Sequence, residues 1–363
     1  MASGDQPFRH RVASACAAMQ AAGMDAFLVT SPINIRWLTG FTGSAGLMVL
    51  TDENAVLATD SRYVEQAGME CPWLPVEQIP SYSASEIVRI VERAGASRIG
   101  FEAGYVTVQQ HRTWVDALGS DRELLPAGSL LDDLRLIKDE AEIAAIEEAC
   151  RIADQVYEAL LPQIRPGVTE RDLMLELEWK IRKDFGADVA FDTILLSGPR
   201  TALPHGKPSQ RPLEAGDFVT MDFGARVQGY CSDITRTVVV GRPSTEQVRV
   251  YTAVLRAQQR ALELMAAGVA GKAVDQAARS VIAEAGHAEH FGHGLGHSLG
   301  LSVHDGPGLS QRSELVLATG MVMTVEPGIY VPGWGGVRIE EDVLVTSDGC
   351  RRLTRSATEL TVV

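Results

Sequence analysis

The sequence predicts two domains of different class, an α/β domain over residues 1–130 and an α+β domain over residues 131–363. A length of 363 residues exceeds what one typical hydrophobic core can support. The first third of the chain alternates short apolar runs with amphipathic helical segments, which is the pattern of a small α/β unit. The remainder combines long helical segments with two predicted hairpins, each of which carries a pair of acidic residues.

Composition and charge exclude several classes of protein. Hydrophobic residues make up 45% of the chain and charged residues 22%, as in ordinary soluble proteins. The net charge of −14 argues against nucleic-acid binding. The absence of a long apolar run and of a signal-like N-terminus argues against membrane insertion and secretion. Five scattered cysteines without a CxxC pair favour reduced thiols and a cytoplasmic protein; they are Cys16, Cys71, Cys150, Cys231 and Cys350.

In the first domain, helical and extended patterns alternate with turn residues between them. Helices are predicted over 9–23, 85–94 and 108–118, and strands over 25–30, 35–41, 46–51, 54–59 and 98–102. No residue in this part of the sequence indicates chemistry by itself. The turn-rich segment 126–133 predicts the boundary to the second domain.

The second domain opens with a helix predicted over 139–160 and continues to a hairpin of strands 217–224 and 230–240. In an antiparallel hairpin, the position of the turn determines which residues face each other. A turn centred between Val227 and Gln228 would place Asp222 opposite Asp233. Because facing like charges are destabilising, a buried pair of this kind predicts a cation between the carboxylates.

A second hairpin repeats the arrangement over residues 323–330 and 336–345. A turn centred near Gly333 would place Glu326 opposite Glu340. Each half of the domain thus has helices followed by a hairpin with paired carboxylates, which indicates a weak internal duplication. Two such hairpins that meet face to face would bring four carboxylates together.

The segment 291–305 carries three histidines, His293, His297 and His304, among closely spaced glycines. One of these imidazoles could add a fifth ligand to the carboxylates. Four buried carboxylates and one imidazole require about two divalent cations to offset their repulsion. Mn²⁺, Co²⁺ and Zn²⁺ all suit this mixed set of oxygen and nitrogen ligands. Two such ions can activate a water molecule for hydrolysis.

The chain resembles the aminopeptidase P and prolidase group of dinuclear metallopeptidases, whose catalytic domain has the pita-bread fold. The matching segments are 221–224 (MDFG), 232–237 (SDITRT), 293–297 (HGLGH) with His304, 324–328 (TVEPG) and 338–341 (RIEE). The segment 197–205 (SGPRTALPH) also fits. In the first domain the resemblance is looser and depends on 34–43 (NIRWLTGFTG) and 60–63 (DSRY). It covers nearly the whole chain.

The resemblance implies a role for each candidate site residue. The implied metal ligands are Asp222, Asp233, His297, Glu326 and Glu340, with Asp233 and Glu340 bridging both ions and Glu326 also handling the proton of the water. The implied non-ligand histidines are His205, His293 and His304, which bind substrate and stabilise the tetrahedral intermediate. Arg338 lies two residues before Glu340, faces the same side of a strand, and is expected to orient a ligand carboxylate.

The implied reaction is the hydrolysis of the bond between an N-terminal residue and proline, with two divalent ions, Mn²⁺ being favoured over Co²⁺ or Zn²⁺. The segment 38–44 (LTGFTGS) favours aminopeptidase P, and a strict Xaa-Pro dipeptidase (prolidase) is the alternative. An alternative of another class is a catalytically dead pita-bread binding module, which the presence of all five ligands disfavours. The resemblance also implies proline-containing peptides as partners and a homodimer.

Overall fold

The computed structural model describes residues 5–52 and 54–363. The chain divides into two units, of which the first ends at Arg135 and the second is Leu136–Val363. Among the described residues, no helix combines the length and the apolar composition needed to span a bilayer.

The first unit is an α/β domain around one six-stranded mixed sheet, in the order β4-β3-β2-β1-β5-β6. Its strands are β1 (Ala26–Val29), β2 (Leu47–Thr51), β3 (Ala55–Thr59), β4 (Val76–Gln78), β5 (Arg98–Phe101) and β6 (Glu123–Pro126). Its helices are α1 (Gln6–Ala21), α2 (Pro32–Thr39), α3 (Val64–Glu70), α4 (Ala84–Ala94), α5 (Val108–Leu118) and α6 (Leu130–Leu136), the last of which runs into the second unit. Apolar residues of β1, β2, β5 and α4 form its core.

The strand predicted over 35–41 is wrong, because this stretch lies largely in helix α2. Pro32 occupies the first turn of the helix, where its missing N–H costs nothing, and Gly40 ends it in the left-handed region with a φ of 81°. The buried carboxylate of Glu102 accepts the backbone N–H of Ser31 at 2.7 Å, just before the helix begins. These helix signals outweigh the β-branched and aromatic residues that indicated a strand.

The second unit contains two long helix pairs and the two hairpins. The helices are α7 (Glu140–Leu160), α8 (Glu170–Phe185), α9 (Thr245–Leu264) and α10 (Gly271–Glu284). The strands are β7 (Asp188–Val189), β8 (Ile194–Ser197), β9 (Phe218–Phe223), β10 (Ala225–Val227), β11 (Tyr230–Cys231), β12 (Ile234–Val239), β13 (Gly296–His297), β14 (Gly308–Leu309), β15 (Val322–Val325), β16 (Gly328–Val331), β17 (Gly335–Arg338), β18 (Glu341–Val345), β19 (Cys350–Arg352) and β20 (Thr361–Val362).

Each helix pair packs on the hairpin that follows it in the chain. Leu177 of α8 and Met221 of β9 are fully buried in one core, and Val254 of α9 and Met323 of β15 are fully buried in the other. Burial of such a side chain contributes about 1.5–3 kcal/mol. The helices therefore fix the hairpins from one side, and the order of helices and hairpin predicted for the two halves is observed.

The first hairpin differs from its predicted register by two residues. Asp222 lies opposite Thr235 rather than Asp233. The turn is formed by Gln228 and Gly229, both at positive φ, so its centre lies one residue later than predicted. Because side chains alternate along a strand, a shift of two residues leaves Asp222 and Asp233 on the same face, as diagonal neighbours.

The second hairpin has the predicted register. Val325 of β15 pairs with Glu341 of β18, and Gly328 of β16 pairs with Arg338 of β17. The two ladders share one register, so the position between them sets Glu326 opposite Glu340, as predicted.

Hydrogen bonds to backbone carbonyls bring the two hairpins together. The N–H of Glu340 donates to the carbonyl of Thr235 at 3.1 Å, and the Thr237 hydroxyl donates to the carbonyl of Arg338 at 2.9 Å. The glycine-rich segment joins them on the other side, where the N–H of Glu326 donates to the carbonyl of Leu295 at 2.8 Å. These contacts place the carboxylates and the histidine segment at one site.

Candidate metal centre

Three of the predicted ligands form a close cluster. Asp233, His297 and Glu340 each offer one ligand atom, and these atoms lie within 4.8 Å of one another. Nε2 of His297 lies 3.6 Å from Oδ2 of Asp233 and 3.5 Å from Oε1 of Glu326. Asp233 and Glu340 are buried, so their charges face each other in a region from which water is largely excluded.

Asp222 joins this cluster through Arg338. The buried guanidinium of Arg338 donates from Nη2 to Oδ2 of Asp222, and its Nε donates to Oγ1 of Thr235 at 2.9 Å. The Thr235 hydroxyl in turn donates to Oε2 of Glu340 at 2.6 Å. A continuous chain of hydrogen bonds therefore orients carboxylates of both hairpins. Sequence reasoning missed Thr235, although its position within the segment 232–237 was a usable signal.

The free atoms of the cluster fit divalent metal ions. Oδ1 of Asp222, Oδ1 of Asp233 and Oε1 of Glu340 are buried and, in the part of the chain that the structure describes, accept no hydrogen bond. Such oxygens are costly unless a cation or a proton compensates them. Nδ1 of His297 donates to the carbonyl of Ser298 at 3.2 Å, which leaves the lone pair of Nε2 directed toward the carboxylates.

The pKa values of the cluster also indicate a site for metal ions. Burial, together with the negative charge of Glu340, raises the pKa of Asp233 and of Glu326 well above their ordinary values. Burial and the neighbouring Asp222 raise the pKa of Glu340 to about 8. Burial and the nearby His304 lower the pKa of His297 to about 4. Without cations Asp233, Glu326 and Glu340 hold protons at neutral pH, and the imidazole of His297 is neutral, as a metal ligand must be.

The three other predicted histidines lie around this cluster. The exposed ring of His304 lies 4.2 Å from that of His297, measured between centroids. His205 is exposed and follows Pro204, whose carbonyl lies 3.4 Å from Nη1 of Arg338. His293 is more deeply placed, and burial with the charge of Arg338 lowers its pKa to about 4. Imidazoles thus line the approach to the carboxylates.

Tyr330 was not predicted, although it links two of the predicted residues. Nδ1 of His293 donates to the carbonyl of Gly294 at 2.8 Å, so Nε2 accepts a hydrogen bond from the Tyr330 hydroxyl, also at 2.8 Å. The same hydroxyl accepts from Nη1 of Arg338 at 2.9 Å. Burial raises the pKa of Tyr330 to about 12, so it stays a donor at neutral pH. Its position four residues after Glu326 on an extended segment was a usable signal.

Asp342 is a further buried carboxylate that sequence reasoning missed. Its Oδ2 accepts the backbone N–H of Asp233 at 2.9 Å and the thiol of Cys150 at 3.2 Å. It lies two residues after Glu340 and therefore on the same face of the strand. Asp342 fixes the backbone from which Asp233 projects.

The comparisons with known proteins identify the class. The model of metallopeptidase family M24 matches residues 144–347, which include all five predicted ligands. The model of the creatinase/prolidase N-terminal domain matches residues 11–137. The chain belongs to metallopeptidase family M24.

Relatives and solved structures match over nearly the full chain. An uncharacterized peptidase of Bacillus subtilis (YqhT) is 43% identical over 341 residues, covering 94% of this chain and 96% of its own. The Xaa-Pro dipeptidase of Pyrococcus horikoshii is 39% identical, covering 93% and 94% respectively. The structure of an Xaa-Pro dipeptidase from Bacillus anthracis is 42% identical with a TM-score of 0.94, covering 98% of this chain and 100% of its own. That of an X-Pro aminopeptidase from Thermotoga maritima is 40% identical with a TM-score of 0.89, covering 96% and 100%.

These matches confirm the fold that the resemblance implied. The second unit has the pita-bread fold of M24 metallopeptidases, and the first is a creatinase-type N-terminal α/β domain. The chain is therefore a hydrolase of the metallopeptidase class.

Replacement of Tyr330 by Phe tests the link between His293 and Arg338. We expect Tyr330→Phe to lower kcat/KM for peptide hydrolysis by about 10- to 100-fold, because Nε2 of His293 loses its donor and Nη1 of Arg338 keeps only the longer contact with the carbonyl of Pro204. The metal content should stay unchanged. Tyr105→Phe, at an exposed position, is the control and should leave the rate unchanged. A wild-type rate for Tyr330→Phe would show that the link is dispensable.

Proposed function

We propose that this protein hydrolyses the bond between an N-terminal residue and proline. The observation that carries the proposal is the buried cluster of carboxylates and one imidazole with unpartnered oxygens. It lies within the residues matched by the M24 family, in a chain that is similar along nearly its whole length to proteins named Xaa-Pro dipeptidase. The reaction class follows from the cluster, and the substrate class follows from the relatives.

The residues that would hold two divalent ions are Asp222, Asp233, His297, Glu326 and Glu340. Asp233 and Glu340, which form one close cluster with His297, would be ligands shared by the two ions. Mn²⁺ is the ion we propose, and Co²⁺ and Zn²⁺ also suit the donor set. When bound, the ions would polarise the substrate carbonyl and lower the pKa of water to near neutrality.

The protein groups supply proton transfer and orientation. Oε1 of Glu326 lies in the cluster, 3.5 Å from Nε2 of His297, so the ionised carboxylate would be placed to accept a proton from the attacking water and deliver it to the leaving nitrogen. Arg338 holds Asp222 in place. The candidate groups for binding substrate and for stabilising the developing oxyanion are the histidines His205, His293 and His304.

Proline explains why a dedicated site is useful. An Xaa-Pro bond has no N–H to donate, and the ring fixes the backbone dihedral of proline. A peptidase that relies on a backbone hydrogen bond from that residue would bind it poorly. A cluster that acts on the carbonyl and on the leaving nitrogen does not need this N–H.

A paired assay on Mn²⁺-loaded and chelator-treated protein tests the proposal. The substrates are a dipeptide Xaa-Pro, a tripeptide Xaa-Pro-Xaa, and the same peptides with alanine in place of proline. We expect the loaded protein to cleave at proline only, and the treated protein to be inactive until the ion is restored. Cleavage of both substrates indicates an aminopeptidase P, which the segment 38–44 favours. Cleavage of the dipeptide alone indicates a prolidase, which the names of several relatives favour.

Failure to cleave either substrate with two ions bound per chain would contradict the proposal. The pita-bread domain would then be a binding module rather than an enzyme. Metal content separates these outcomes from simple loss of the ions, so it is measured on every sample.

We further propose that the protein is cytoplasmic and forms a homodimer. All five cysteines are free, which supports a reducing compartment. The dimer rests on the resemblance to aminopeptidase P and prolidase. Light scattering at several protein concentrations measures the mass in solution, and a mass of one chain at all of them would contradict the dimer.

A further inference from the structure

The segment around His293 is rich in glycine, which favours a flexible backbone. The imidazole of His293 nevertheless needs a fixed position. Gly294 and Gly296 are required by close packing, because a Cβ would lie 2.9 Å from the carbonyl oxygen of Leu309 at the first and 2.0 Å from that of Thr324 at the second. Glycine at these positions leaves the backbone with more freedom than any other residue would. That freedom has to be restrained by contacts from outside the segment.

An ion pair on helix α10 lies against this segment. Asp275 and Arg279 are one turn apart, and the guanidinium makes two bonds to the carboxylate, from Nε to Oδ2 at 2.7 Å and from Nη2 to Oδ1 at 3.1 Å. The Asp275 side chain is fully buried and that of Arg279 is 15% exposed. A paired, bidentate contact of this kind is both strong and well defined in direction.

The same ion pair binds the backbone of the segment at three alternate residues. Nη1 of Arg279 donates to the carbonyl of Phe291 at 2.8 Å, and its Nη2 donates to the carbonyl of His293. Oδ1 of Asp275 accepts the N–H of Leu295 at 3.1 Å. The guanidinium also lies over the Phe291 ring, 4.2 Å from its centroid. Phe291, His293 and Leu295 alternate with the glycines of the segment. The ion pair therefore restrains the backbone directly beside each flexible glycine.

We propose that Arg279 and Asp275 are positioning residues that set where the His293 imidazole stands. His293 reaches Tyr330 through Nε2 and the carbonyl of Gly294 through Nδ1, and both bonds depend on a fixed backbone at residues 293–294. The ion pair acts through that backbone rather than on a substrate. The effect on turnover depends on the proposed Xaa-Pro hydrolysis, whereas the effect on the imidazole does not.

The first test compares metal-loaded full-length variants. Asp275→Asn combined with Arg279→Gln removes both charges, so no buried charge is left without its partner, and Arg279→Lys keeps the charge but loses the two-pronged contact. We expect kcat on Xaa-Pro substrates to fall about 10- to 100-fold in the double variant and less in Arg279→Lys, with metal content unchanged. Arg260→Gln is the matched control, since its ion pair with Glu263 on α9 is exposed.

A double-mutant cycle separates positioning from general stabilisation. If the pair acts through His293, adding the double variant to His293→Ala should cost little beyond His293→Ala alone. Independent, multiplicative losses would mean that the ion pair only stabilises the fold, and they would overturn the proposal. Arg279→Lys supplies the same cycle if the double variant does not fold.

NMR of ¹⁵N-histidine-labelled protein gives a readout that does not need activity. The His293 imidazole signals, assigned by their loss in His293→Ala, should shift or broaden in the double variant, while those of His10 in the first unit should not. Unchanged His293 signals would overturn the positioning role. The wild-type protein could bind its ions and cleave no Xaa-Pro bond, while the His293 signals still differ between the wild type and the double variant. That result would refute the proposed function and support the positioning role.

Discussion

Glu340→Gln and Asp233→Asn are each expected to abolish hydrolysis, with kcat/KM lower by about 10³-fold or more, the equivalent of roughly 4 kcal/mol. Each side chain offers a buried oxygen that accepts no hydrogen bond within the described residues and that lies in the cluster with His297. Each amide lacks the negative charge and has an NH2 group in place of one metal-binding oxygen, while the shape of the side chain stays nearly the same. Metal bound per chain, measured on the same samples, should fall as well.

The same substitutions should make the metal-free protein more stable at neutral pH, because they remove a buried carboxyl that has to take up a proton when the chain folds. A rise in the melting temperature of metal-free Glu340→Gln, together with loss of activity, would distinguish a lost ligand from a damaged fold. Glu263→Gln, at an exposed position, is the control and should change neither quantity. Near-normal turnover in either site variant would remove the assignment of Asp233 and Glu340 as shared ligands.

The two hairpins show what a sequence can predict about a site. The pairing of Glu326 with Glu340 was predictable because the loop around Gly333 has an unambiguous centre. The pairing of Asp222 was wrong by two residues because Gln228, rather than a glycine, takes the first left-handed position of the turn, with a φ of 50°. The prediction that Asp222 and Asp233 lie on the same face of the hairpin was nevertheless correct, because a turn moved by one residue shifts the register by two.

The missed residues share a different cause. Thr235, Asp342 and Tyr330 act through contacts between segments that are distant in the chain, so their positions in the sequence could mark them as candidates but could not show what they contact. Arg279 and Asp275 resemble an ordinary surface pair at helical spacing until helix α10 is seen to lie along the glycine-rich segment. Periodicity identifies elements, whereas these roles depend on how the elements approach one another.

Metal-free protein should lose stability as the pH rises from about 5 to about 8, because Asp233, Glu326 and Glu340 all have raised pKa values. These three carboxyls outweigh His293 and His297, whose lowered pKa values act in the opposite direction up to about pH 6.5. Burial and Asp222 raise the pKa of Glu340 to about 8 from its ordinary value of 4.5. The folded state therefore keeps a proton that the unfolded state releases, and the free energy of unfolding falls until the pH passes the folded pKa. At about 1.4 kcal/mol per pKa unit, this one group accounts for roughly 5 kcal/mol, or about 10 °C in melting temperature.

Divalent ions should reverse this slope, because they bind the ionised carboxylates and compete with the protons. Melting temperatures measured between pH 5 and 8.5, with chelator and with Mn²⁺, should therefore diverge as the pH rises. Metal-free Glu340→Gln should have a flatter profile than the wild-type protein, and Glu263→Gln should follow the wild type. Identical slopes for wild type and Glu340→Gln would show that the buried cluster is not where the protons are held. Burial makes these carboxyls poor acids in the metal-free protein and strong ligands once cations are present. The free energy that burial of the carboxyls costs the metal-free protein is therefore recovered when the metal ions bind.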